Sequence, residues 1–82
     1  MSETIKLNYP IESEGNTVTE ITLRRPKARD LKKMERGSGG DIAKSIEFIA
    51  DLAELPPSAI EELDGEDFQS LSEVVARFLG KQ

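Results

Sequence analysis

Cysteine, histidine and tryptophan are absent from this 82-residue sequence, and its aromatic residues are three phenylalanines and one tyrosine. Without thiol or imidazole there is no zinc or copper site of the usual kind, no disulfide framework, and no Ser-His-Asp or Cys-His catalysis. The missing cysteines agree with a reducing compartment. No run approaches the roughly 20 apolar residues of a membrane-spanning helix. The N-terminal MSETIKLNYP lacks the basic-then-apolar layout of a signal peptide. With 37% hydrophobic residues, the chain can build the core of one small domain but has little apolar material for a deep ligand cavity.

Charge is present in quantity but unevenly placed. Residues 1–23 carry one base against four carboxylates, residues 24–36 carry seven bases against two, and residues 37–82 carry three against ten. The basic island RRPKARDLKKMER can attract phosphate, an acidic partner, or the acidic remainder of its own chain. Nucleic acid is a poor fit, because the flanks repel phosphate and the island has no aromatic side chain for stacking on bases.

The first quarter of the chain predicts a β-hairpin over about 4–24. Ile5, Leu7 and Tyr9 alternate with polar residues, as do Ile21 and Leu23, with Val18 on the opposite face. Gly15-Asn16 suits the positive φ angles of a reversal. Such a hairpin is marginal alone and calls for helices to cover its apolar face. Pro26 suits the first turn of a helix over about 27–36, with Ala28, Leu31 and Met34 as a thin apolar edge. GSGG at 37–40 breaks it as a flexible joint.

A second helix is predicted over 41–55, capped by Asp41, with Ile42, Ile46, Ile49 and Ala53 on one face. Pro56-Pro57 ends it, and Ser58 with Glu61 has the form of a capping box for a short helix over 58–63. Asp64 then caps a last helix over 65–79, where Phe68, Leu71, Val75, Phe78 and Leu79 recur at helical spacing. The expected fold is therefore α+β, an N-terminal hairpin followed by three to four helices forming one core.

Carboxylates are the remaining candidates for acid–base chemistry. Asp64, Glu66 and Asp67 cluster at a helix start, where capping and the helix dipole account for them. The calcium-loop pattern is missing around DGED, and no nucleophile elbow, phosphate loop or dinucleotide fingerprint occurs. No catalytic, cofactor-binding or metal residue is assigned.

The order of these segments resembles that of the small tail assembly chaperones of contractile-tailed, Mu-like phages and prophages. The likeness spans roughly residues 5–80. Two stretches carry it: an [IV]xLRxPxxxDL pattern at Ile21, Leu23, Arg24, Pro26, Asp30 and Leu31, and an LxxxDxxxL pattern at Leu63, Asp67 and Leu71. The resemblance implies a non-catalytic protein of the host cytoplasm that binds the tape measure protein, keeps it soluble while the tail forms, and is absent from the mature virion. It also implies a longer form of the chain made by ribosomal frameshifting. Leu79-Gly80-Lys81 can be encoded as CTG-GGA-AAA, which contains a slippery heptamer. Self-association into a homo-oligomer is compatible with the sequence.

For partner contact the candidates are Arg24, Arg25, Lys27, Arg29, Lys32 and Lys33, facing an acidic stretch, together with Val74 and Val18 as apolar residues off the main core stripes. The alternatives are a small regulatory nucleic-acid binder using residues 24–36, and a structural component retained in the tail.

Overall fold

A computed structural model describes residues 2–80; Lys81, part of the frameshift expectation, lies outside the described residues. Two antiparallel strands, β1 (Glu3–Ser13) and β2 (Asn16–Leu23), precede four helices. These are α1 (Ala28–Arg36), α2 (Asp41–Ala53), α3 (Pro57–Glu61) and α4 (Gly65–Phe78). The hairpin forms one layer and the helices cover its apolar face, an α+β arrangement.

The strands reverse at Glu14-Gly15, where φ is 52° and 82°, one residue earlier than the Gly15-Asn16 step suggests. A two-residue loop with both φ angles positive matches the right-handed twist of the flanking strands. Glycine adopts that conformation freely, whereas Glu14 is held in it. Glu14→Asn is expected to raise stability by about 0.5 kcal/mol, because asparagine accepts left-handed backbone more readily. Urea unfolding of the two proteins measures it.

The hairpin departs from the simple alternation of its sequence. Pairing runs from Glu3↔Leu23 to Lys6↔Glu20 and resumes at Ile11↔Val18, so residues 7–10 of β1 face a single β2 residue, Thr19. This bulge turns Tyr9 outward, 55% exposed, although its spacing had placed it beside the buried Leu7. Pro10, which has no N–H for a ladder, is accommodated in the same irregular stretch. The shift also turns Val18 inward, against the core, despite its parity with respect to Ile21 and Leu23. Val18 is therefore packed against the core on one side and half-buried, where alternation expects it to stand free.

At the centre of the molecule, Ile21 and Leu23 of β2 meet Ile49 and Leu52 of α2, Ile60 of α3 and Leu71 of α4, all essentially inaccessible. α4 lies antiparallel along β1: Asp67 near its start contacts Asn8 and Tyr9, and Arg77 near its end pairs with Glu3 at 2.8 Å. The far end of α2 is tied to the hairpin by the Arg24 amide, which donates to the Leu52 carbonyl at 3.1 Å.

Helix ends follow local chemistry with some differences from expectation. Asp64 caps α4 by accepting from the Glu66 amide at 3.0 Å. α2 starts one residue earlier in capping terms: Gly40 is its N-cap and Asp41 lies in the first turn without a side-chain cap bond. Its end at Ala53 precedes Pro56, since Glu54 already adopts the left-handed conformation at φ 59°. Pro57 rather than Ser58 opens α3, where a missing N–H costs nothing.

Candidate functional site

The two sequence patterns singled out above resolve into two carboxylate clamps. In the first, Arg24 follows β2 and Asp30 is in the first turn of α1. Arg24 Nη1 donates to Asp30 Oδ2 at 2.8 Å and Nη2 to Oδ1 at 2.9 Å, a bidentate fork. Asp30 Oδ2 also accepts from the Lys27 amide at 2.8 Å, closing the start of the helix. Asp30 is 5% exposed. The Arg24 guanidinium, helped by the Lys27 amide, holds the Asp30 carboxyl at about 2, below its ordinary 3.8, against the opposing effect of burial. The same contact raises the Arg24 pKa.

In the second clamp, Asp67 reaches from the first turn of α4 into the β1 bulge. Its Oδ1 accepts from the Asn8 amide and its Oδ2 from the Tyr9 amide, each at 3.0 Å. These two amides have no cross-strand partner because the ladder is interrupted there. Asp67 is 2% exposed. Both buried carboxylates are thus fully occupied in joining elements, and each is remote in chain and in partners from the other. Among the described residues, no group of three or more metal-ligating side chains comes together.

An apolar groove opens on the helical side. α2 contributes Ser45, Phe48 and Ile49, and α4 contributes Ser72, Val75, Ala76 and Leu79. Met34 of α1 closes one end, and the space amounts to about 210 Å³. The groove arises because α4 uses Asp67, Leu71 and Val74 to face the hairpin. Val75 and Leu79, on the adjoining flank, are left half-buried. Ser45, Ser72 and Ala76 contribute only small side chains to the lining, which leaves the groove open between the larger apolar ones. Beyond Met34 and Ser45 the depression continues between α1 and α2, bordered by Leu31, Glu35, Asp41 and Lys44. Leu31 is 41% exposed and Ile42 is 66% exposed.

That exposure corrects two expectations. Of the expected edge of Ala28, Leu31 and Met34, only Met34 packs against the core; α1 docks through it and Asp30, because the bidentate ion pair orients the helix more strongly than two small contacts do. Ile42 shares a helical face with the buried Ile49 but sits on the first turn of α2, where nothing covers it. Alternation of apolar residues identifies a face; it does not say how far along the helix the neighbours extend.

The basic segment is partly consumed by the fold. Arg24 is held by Asp30, and Lys33 Nζ lies 3.1 Å from Asp51 on α2. Arg25 donates to the Phe78 carbonyl at 3.1 Å and stacks over the Phe78 ring, 5.2 Å from its centroid, at the negative end of α4. Lys27, Arg29 and Lys32 are exposed and take part in no ion pair among the described residues. Val74 does not belong to a contact surface: it is 4% exposed and forms part of the core, since α4 turns it toward the hairpin beside Leu71. The groove itself escaped sequence reasoning. The one signal for it was the excess breadth of the apolar stripe on α4.

Comparison with curated proteins and with solved structures gives no match. A family model, described as "Phage tail assembly chaperone proteins, E, or 41 or 14", matches residues 4–80, which include both clamps and the groove. With nearly its whole length accounted for in this way, the chain belongs to the phage tail assembly chaperone family.

Proposed function

We propose that this chaperone acts without catalysis, in the host cytoplasm, by holding an amphipathic helix of the tape measure protein in the α2–α4 groove. That long helical protein is thereby kept soluble until tail tube subunits surround it. The observation that carries the reading is the apolar groove, which continues past Met34 to the exposed Leu31. A helix laid into such a groove by its apolar face is a recurrent recognition mode. The net charge of −5 would keep the complex dispersed. Exposed Lys27, Arg29 and Lys32 on α1 are available to acidic residues flanking the bound helix.

Co-expression with the tape measure protein of the same phage tests the proposal. The expected result is a soluble complex that elutes together. Withdrawing a leucine from a partner's apolar face forfeits about 1.5–3 kcal/mol, so Leu31→Asp, at an exposed position bordering the groove, should weaken binding at least tenfold while leaving the fold intact. An equally insoluble tape measure protein, or binding indifferent to Leu31, would remove the assignment's support. Codon usage at Leu79-Gly80-Lys81 tests the longer form separately: CTG-GGA-AAA supports frameshifting, and codons without a slippery heptamer count against it.

A further inference from the structure

The two outer edges of the hairpin differ. Along β1, α4 packs against the strand, Asp67 occupies the Asn8 and Tyr9 amides, and Pro10 has no N–H to offer. Along β2 there are eight residues, NTVTEITL, with no proline, glycine, lysine or arginine among them. Among the described residues, no backbone group of Asn16–Leu23 bonds anything beyond β1. Natural edges are blunted by bulges, prolines or lysines. Here those devices are confined to β1, and β2 is a ready template for another strand.

Beside that edge runs an open trough of about 390 Å³, with Thr17–Thr22 along one side and Ala53 and Leu55 along the other. Val18, Ala53 and Leu55 are only half-buried there, so an added strand would complete their cover.

We propose that β2 pairs antiparallel with β2 of a second copy of this chain about a two-fold axis, joining two hairpins into one four-stranded sheet. The edge complements itself. In a register centred on Val18, the two Val18 side chains face each other, Thr17 lies opposite Thr19 and Glu20 opposite Asn16, which keeps the two Glu20 carboxylates four residues apart. Two-fold symmetry makes each of the off-axis contacts twice, a reciprocity that an unrelated extended peptide lacks. Four strands also relieve the marginal stability of a two-stranded sheet. Eight residues a side bury less than the roughly 1,200 Å² of a standard interface, so the dimer is a weak, concentration-dependent one. This inference does not depend on the tape measure reading.

Sedimentation equilibrium across micromolar to millimolar concentrations tests it. The expected mass rises from 9.1 kDa toward twice that value. Thr19→Lys, an exposed edge position, should weaken association about tenfold or more, whereas Gln69→Lys on the exposed side of α4 should leave it unchanged. Slowing of hydrogen exchange at the Thr17–Thr22 amides as concentration rises gives a second readout needing no substitution. A mass of 9.1 kDa throughout would overturn the proposal. So would association lost through Leu31→Asp and not through Thr19→Lys, which would move the interface to the groove.

Discussion

Replacing Asp67 by alanine should cost about 2–4 kcal/mol, since it takes the acceptor from two part-buried backbone amides, at about 1–2 kcal/mol each, and opens a small void where the buried carboxylate was. An 82-residue domain has a total stability of roughly 4–12 kcal/mol, so much of the variant would be unfolded at physiological temperature. The physical cause lies in the β1 bulge, where the Asn8 and Tyr9 amides have lost their cross-strand partners and the Asp67 carboxylate replaces them. Asp67→Asn retains one acceptor oxygen in the same shape and should cost about half as much. Urea unfolding gives the free energies, and hydrogen exchange at Asn8 and Tyr9 localises the change. An alanine variant within about 1 kcal/mol of the parent would show that the bulge finds other partners.

The Arg24–Asp30 clamp carries the second large effect, and it depends on pH. Asp30 titrates at about 2 in the folded chain and near its ordinary 3.8 when unfolded. The unfolded state therefore binds the proton more tightly, so the contribution is complete above about pH 4 and is lost as pH falls toward 2. The separation corresponds to on the order of 2 kcal/mol. Asp30→Asn should lower stability at neutral pH by that order and flatten the acid limb of the profile relative to the parent. Asp30→Ala should cost about 3–5 kcal/mol, because Arg24 remains beside the core with no counter-charge and the Lys27 amide loses its cap. Unfolding free energies measured from neutral to acidic pH check both variants. Parallel profiles for parent and Asp30→Asn would mean that other carboxylates control the acid limb.

Periodicity made much of the architecture legible. The alternation around Ile5–Leu7 and Ile21–Leu23, the 3.6-residue recurrence in α2 and α4, and the Asp64 cap each follow from interactions within a few residues of one another. The telling positions Arg24, Asp30 and Asp67 were visible as parts of a family pattern, but their roles were not. Asp67 could be accounted for as a dipole-favoured residue at a helix start. Its second task, bonding amides nearly sixty positions away, required knowing where α4 lies. The seven bases of residues 24–36 likewise looked equivalent, although Arg24, Arg25 and Lys33 are bound internally while Lys27, Arg29, Lys32 and Arg36 are exposed.

By itself the sequence determined which segments form strands and helices, and that the chain lacks thiol and imidazole chemistry, because these rest on residue type and short spacing. Tertiary packing alone decided that Tyr9 and Ile42 face outward and Val18 and Val74 inward, that β1 is closed while β2 is open, and that α2 and α4 diverge into a groove. The reason is that a side chain's burial depends on how far its neighbours reach and on where a ladder slips, and both are set by contacts between residues distant in the chain.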